Sequence, residues 1–271
     1  MLKIGLNDDI TNEDYHGDRE YESSSSLKLF LKDPKEYYNR YILKLPREEK
    51  YKSAYDFGSY IHSLILEPEK VEDEYAIFEG ASRRGNAYKE FKAENEGKII
   101  ITRSQFLQAQ SLLEAYTEHQ LASSMITKGK PEQTLCVELD GMKIKVRADW
   151  LKAYDITGEI IDVKTTSDPT DKFTAGKTVA RFDYDLSAAL YVDAFSKHFG
   201  MKFDFYFLFI NKISNEIEVL KASKNLLENG RRKYKKSIQL LKEARETGKY
   251  FKEGIQEVDI PSWAVFNDDT E

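Results

Sequence analysis

The run Glu159-Ile-Ile-Asp-Val-Lys-Thr-Thr166 sets an acid and a lysine two residues apart inside a short apolar stretch. Burying a charge is costly unless it is paired, so a fold that accommodates this segment must give both groups a partner. Ile160, Ile161 and Val163 mark a buried strand, and strand side chains alternate between faces. Asp162 and Lys164 therefore share the face opposite Ile161, Val163 and Thr165. A carboxylate and an ammonium fixed together at a strand end can hold a divalent cation and polarise the water beside it.

A second strand supplies a further acid. In Met142-Lys-Ile-Lys-Val-Arg-Ala-Asp149, Met142, Ile144, Val146 and Ala148 fall on one face, while Lys143, Lys145, Arg147 and Asp149 fall on the other. Asp149 thus lies on a cationic face, which suits a metal-binding carboxylate next to a polyanion: the three basic side chains are expected to hold phosphate. The preceding run Glu132-Gln-Thr-Leu-Cys-Val-Glu-Leu139 joins this strand through Asp140-Gly141, a strong two-residue hairpin signal. Three adjacent strands are expected.

Glu132, Asp149, Asp162 and Lys164 together resemble the site of the PD-(D/E)XK nuclease superfamily. Within it the chain is similar to the RecE-type phage exonucleases, also called exodeoxyribonuclease VIII, which are related to the nuclease domains of RecB and AddB. The likeness is carried by Ser23-Ser-Ser-Ser-Leu-Lys-Leu-Phe30, Phe57-Gly-Ser-Tyr-Ile-His-Ser-Leu-Ile-Leu-Glu-Pro68, Arg147-Ala-Asp-Trp-Leu151, Asp162-Val-Lys-Thr-Thr166 and Tyr184-Asp-Leu-Ser-Ala-Ala-Leu-Tyr191, with Ile260-Pro-Ser-Trp-Ala264 in the tail.

The resemblance implies an α/β fold with a restriction-endonuclease-like core: a mixed central sheet flanked by helices, with helical additions at both ends. It implies a metal shell of His62, Glu132, Asp149, Asp162 and the backbone carbonyl of Val163, holding one or two Mg²⁺ or Mn²⁺ ions. Lys164 would orient or deprotonate the attacking water, with Tyr191 and Thr165 in support. Relatives commonly carry glutamine where this chain has Ser187, whose shorter hydroxyl would reach DNA or water less directly. The implied activity is a 5′-to-3′ exonuclease on linear double-stranded DNA, serving recombination or phage DNA processing. The implied partners are a single-strand annealing protein and further copies of the chain, in a closed ring. A RecB-like nuclease of other polarity fits the same residues. So does a catalytically weak DNA-binding or assembly protein on a nuclease scaffold.

At 271 residues, one large domain with a full core is expected: a helical lead-in over about 1–128, a sheet core over about 129–221 and a basic helix and tail over about 222–271. The longest aromatic and apolar run, Phe205-Tyr-Phe-Leu-Phe-Ile210, is too short to span a bilayer, and the first residues lack a signal-peptide pattern, so a cytoplasmic protein without membrane contact is expected. A lone Cys136 excludes an intrachain disulfide or a cysteine-clustered metal site. The net charge of −6 does not advertise nucleic-acid binding, but from Lys221 to Lys252 eleven basic residues face three acidic ones. That stretch reads equally as a solvated helix or as a contact surface, with Arg231, Arg232 and Lys235 the candidate phosphate ligands.

Along the lead-in, Ser23 to Ser26 offer caps for a helix ending near Asp33-Pro34, and Asp33 can cap a second helix whose Tyr37, Tyr38 and Tyr41 pack on the core. A helix over 53–66 carries His62, which by pattern alone is a hydrogen-bonded core residue; the resemblance makes it a ligand. Arg83-Arg-Gly-Asn86 reads as an exposed loop, and His16, His119 and His198 as surface residues. After the Asp162 strand, Ser167 to Arg181 is polar and helix-compatible, and a helix over about 185–199 follows. A hairpin over about 202–220 leads into the basic helix.

Overall fold

In the computed structural model, residues 1–8, 10–46, 53–80, 83–252, 254–255 and 257–264 are described. The lead-in runs β1 (Gly5–Asn7), α1 (Asn12–Gly17), α2 (Ser24–Lys32), α3 (Pro34–Tyr37) with a π turn to Ile42, α4 (Ser53–Leu66), α5 (Val71–Glu74), β2 (Tyr75–Phe78), α6 (Asn86–Glu94), β3 (Ile99–Thr102), α7 (Arg103–Glu118) and α8 (Gln120–Met125). The sheet core and tail follow as β4 (Lys130–Leu139), β5 (Met142–Ala153), β6 (Thr157–Thr166), α9 (Lys172–Arg181), α10 (Tyr184–Phe199), β7 (Lys202–Asn211), β8 (Ile217–Lys221) and α11 (Lys224–Thr247). The tail carries a short turn at Ser262–Ala264, while the side chain of Trp263 and residues 265–271 lie outside the described residues.

Local chemistry sets many of these boundaries. Ser23 and Ser26 form a reciprocal capping box at the start of α2, and Asp33 caps α3 with Pro34 in its first turn. Thr102 and Gln105 form a second capping box on α7. The β4–β5 hairpin turns through Asp140 (φ 48°) and Gly141 (φ 70°), the two left-handed residues that a two-residue hairpin demands. His119 is half-buried rather than simply at the surface, because its Nδ1 accepts from the Ala122 N–H and caps α8. Arg83 is likewise not a free loop residue: it donates to the Ile100 carbonyl and Gln105 and pairs with Asp56.

Six strands form one sheet in the order β1-β4-β5-β6-β7-β8, antiparallel except for the β6–β7 pair, and β2 and β3 make a separate parallel pair. The parallel step needs a crossover, which α9 and α10 supply. One face of the sheet, built from Val146, Ala148, Ile160 and the run Phe203, Phe205, Phe207 and Phe209, packs against α2, α9, α10 and α11. Each buried phenylalanine contributes roughly 2–3 kcal/mol by removal from water.

The opposite face is divided. Over β6 to β8, Ile161, Val163, Leu208 and Ile210 pack against α4, α7, α8 and the β2–β3 pair. Over β4 and β5 the cover is the N-terminal segment with α1, where the Tyr15 ring lies under both Lys145 and Arg147. His62, Glu132 and Asp149 come together where these two covers meet.

Candidate active site

The strands themselves create the opening. β5 and β6 pair only from Trp150↔Ile161 to Ala153↔Gly158. Beyond Trp150, β5 stays with β4 and β6 stays with β7, so the sheet forks at Asp149 and Asp162. The freed edge of β5 is taken by the residues before α2, where the Glu22 N–H donates to the Lys143 carbonyl and the Lys145 N–H to the Glu22 carbonyl. Asp149 fills the fork: its Oδ2 accepts from the Val163 N–H at 2.7 Å, satisfying a backbone donor that would otherwise pair with β5.

His62 reaches the same carboxylate from α4, with Nε2 2.9 Å from Asp149 Oδ2 and Nδ1 3.5 Å from Glu132 Oε1. Glu132 stands across β4 from Asp149 in left-handed backbone (φ 47°), and the ladder skips the two while keeping its register on either side. Such a conformation in a non-glycine residue costs on the order of 1–3 kcal/mol and collects at functional sites. One nitrogen of His62 and one oxygen each from Glu132 and Asp149 lie within 4.8 Å of one another. An imidazole with two carboxylates is a donor set suited to a small divalent cation, so these residues fit the metal the sequence implies.

Asp162 and Lys164 face the other way, toward α10. Lys164 Nζ is 2.6 Å from Asp162 Oδ2, donates to the Val163 carbonyl at 3.3 Å and sits over the Tyr184 ring at 5.3 Å. The two acids therefore come from opposite faces of the sheet, and Asp162 lies outside the three-residue cluster, held by its lysine. The Val163 carbonyl, expected as a metal ligand, accepts from the same lysine.

Electrostatics follow the geometry. Burial opposes ionisation of Asp149, but His62, Lys164 and the Val163 N–H outweigh it and hold its pKa below the ordinary carboxylate range. Burial and the neighbouring Asp149 charge push Glu132 up to about 7. Burial lowers the affinity of His62 for its proton, yet Asp149 and Glu132 reverse this and leave its pKa raised. Asp162 is raised by burial despite Lys164. For Lys164 burial works against the charge, and Asp162 and Asp149 more than restore it, so the group is a cation at neutral pH.

Tyr191 belongs to the fork, its hydroxyl bonding the Ser24 side chain and the Arg147 backbone while burial raises its pKa. Ser187 is half-buried on α10 between Tyr184 and Tyr191. Thr165 is half-buried against α4, its Oγ1 3.2 Å from where a Cβ on Gly58 would sit; glycine there lets the helix that carries His62 approach β6.

The expected phosphate-holding face of β5 requires correction. Lys145 and Arg147 are buried: Lys145 donates to the Tyr15 and Asp18 carbonyls, and Arg147 to Thr134, Asn12 and the Ile10 carbonyl. Lys143 is exposed but ion-paired with Glu20. The strand period correctly put these cations on one face, but the N-terminal segment covers it. The basic helix is corrected in part. Arg231 makes a bidentate pair with Asp193 at 2.8–3.0 Å, whereas Arg232 and Lys235 are exposed, Arg232 near Glu228 at 3.8 Å.

Lys28 escaped the sequence reading. It projects from α2 over Tyr184, 5.2 Å from the ring centroid, so that one ring serves both Lys28 and Lys164. Burial, with Lys164 nearby, brings its pKa down to about 8. Its only sequence signal was its position within the Ser-Ser-Leu-Lys-Leu-Phe run.

A forked mixed sheet with acids at the fork and a lysine two residues beyond the second acid defines the PD-(D/E)XK class of fold and site. The chain belongs to the family described as a PDDEXK-like domain of unknown function, whose model matches residues 23–252. No curated protein matches it in sequence. Among solved structures it is similar to one titled a "putative exonuclease" from Eubacterium rectale, with 19% identity, a TM-score of 0.65 and coverage of 90% of this chain and 88% of that one. A weaker likeness, to the structure titled SSO0001, has 18% identity, a TM-score of 0.28 and coverage of 79% and 85%. No helix among the described residues is long and apolar enough to cross a membrane.

Proposed function

We propose that the protein is a metal-dependent nuclease that hydrolyses DNA phosphodiester bonds, acting as a 5′-to-3′ exonuclease on linear double-stranded DNA. The observation that carries this reading is the convergence of His62, Glu132 and Asp149 within 4.8 Å at the sheet fork, with Asp162 and Lys164 beside them. His62, Glu132 and Asp149 would hold one or two Mg²⁺ or Mn²⁺ ions, with Asp162 the third acid of the set. When bound, such a cation supplies Lewis-acid stabilisation of phosphate charge and a more acidic water.

The chain's own groups do the rest. The Val163 N–H and His62 fix the Asp149 carboxylate in one orientation, as precise catalysis requires of a ligand. Lys164, held as a cation by Asp162 and Asp149, would orient the attacking water and offset charge building on the phosphate. The Tyr184 ring holds the lysine from its far side. Tyr191 keeps the fork open through Ser24 and the Arg147 backbone. The test is cleavage of linear duplex DNA by wild type and by Asp162→Asn, with Mg²⁺, Mn²⁺ or EDTA. Metal-dependent cleavage that the variant lacks is expected; equal cleavage by both would refute the assignment.

A further inference from the structure

The surface leading to Lys164 carries a second pattern. On α9, Phe173, Lys177 and Arg181 recur at intervals of four, so they form one outward stripe about 12 Å long. Phe173 is 69% exposed and Phe182, which follows the helix, 45%. Each ring carries its own cation: Lys177 lies 4.2 Å from the Phe173 centroid and Arg181 5.0 Å from that of Phe182. Phe182 then stacks on Tyr184, with centroids 5.5 Å apart and planes at 26°, and Tyr184 holds Lys28 and Lys164. Rings and cations therefore alternate from open surface to the catalytic lysine.

The space above the stripe is clear. Gly176 and Ala180 are exposed between the two ring–cation pairs, and a side chain added at Gly176 would meet nothing within 4 Å. From Lys172 to Phe182 there are three basic residues and no acidic one. The flanking acids are Asp171, whose carboxylate caps the helix, Asp168, 3.9 Å from Arg181, and Asp183 and Asp185, both paired with Lys233 at 2.6 and 3.0 Å. Exposed rings interleaved with cations on a shallow platform suit a ligand that offers flat apolar faces joined by anionic links, which describes an unpaired nucleic-acid strand. Paired bases would hide those faces.

We propose that α9 and the Phe182–Tyr184 stack form a track for an unpaired DNA strand, bases on Phe173 and Phe182 and phosphates on Lys177, Arg181 and Lys28, delivering a single-stranded end to Lys164. The destination of the track rests on the nuclease reading above; the binding surface does not. Stacking on an aromatic side chain is worth about 1–3 kcal/mol per base, or roughly 5- to 150-fold in affinity.

The experiment measures binding of the full chain in EDTA to a fluorescent 15-mer of thymidine and to a blunt duplex, for wild type, Phe173→Ala, Phe182→Ala and Ala180→Glu, each checked by circular dichroism and thermal melting. Ala180→Glu adds an acid to an exposed helix position and leaves both rings in place. The expected result is at least a fivefold loss of single-strand affinity in every variant, with duplex affinity within twofold of wild type. Lys177→Gln should reduce the salt slope of single-strand binding by about 0.7. Single-strand affinity unchanged within twofold would overturn the track and assign the exposed rings to a protein contact; equal losses for both DNA forms would also overturn it. Cleavage assays on the same proteins separate the two claims. Metal-dependent cleavage with unaltered single-strand binding in the variants removes the track alone, and ring-dependent binding without cleavage by wild type removes the nuclease reading alone.

Discussion

At the scale of single residues, the site is a set of opposed charges whose protonation the fold controls. Because Glu132 titrates near 7 and His62 is raised, both retain protons that a cation must displace. Cation affinity is therefore expected to tighten as pH rises through about 7, with release of protons; titration calorimetry in two buffers of different ionisation enthalpy measures that release, and identical heats in both would contradict it. His62→Ala removes the nitrogen donor from the cluster and should weaken Mn²⁺ binding about 10- to 100-fold while the fold survives. Cys136 gives an independent check on the core. It is fully buried and its thiol is pushed up to about 12, so thiolate is scarce at pH 8. The folded protein should resist thiol reagents that label it fully in denaturant, and rapid labelling of the native protein would mean that β4 is less protected than described.

Between elements, the tightest joint is the crossing of α10 and α11. A Cβ on Gly230 would lie 1.9 Å from the Asp185 carbonyl oxygen, so Gly230→Ala must push the helices apart. A loss of about 1–3 kcal/mol is expected in urea unfolding. Nearby, Asp193 accepts both from Arg231 and from the Tyr234 hydroxyl at 2.6 Å. Asp193→Ala leaves two partly buried donors without their partner and should cost a further 1–3 kcal/mol or so, whereas Arg232→Ala on the exposed face should change stability little. This joint also explains what the charge pattern of α11 concealed. Eleven basic residues against three acidic ones left open a solvated face or a contact surface, but the balancing acids Asp185 and Asp193 sit on α10 and Asp183 just before it, and Glu22 pairs with Arg245 from before α2. Charge counted along one helix cannot show partners on another.

For the whole molecule, legibility followed the range of the interactions. The Asp140-Gly141 hairpin, the serine caps and the order β4-β5-β6 were readable because turn chemistry and strand alternation are local. Of the residues the sequence singled out as candidate ligands, His62, Glu132 and Asp149 lie within 4.8 Å of one another. The geometry of the site was not readable. Alternation put Asp162 and Lys164 on one face, but nothing along the chain marks where β5 and β6 part, and that fork is what separates Asp162 from the cluster. Nor does strand period reveal which segment lies over a face, and so the burial of Lys145 and Arg147 by α1 was missed. The central claim concerns what the fork does to DNA. The most direct measurement is digestion of linear duplex labelled separately at its 5′ and 3′ ends, by wild type and Asp162→Asn, with Mg²⁺ or EDTA. The expected result is Mg²⁺-dependent release of the 5′ label by wild type and none by the folded variant; no cleavage by well-folded wild type in either Mg²⁺ or Mn²⁺ would contradict the account.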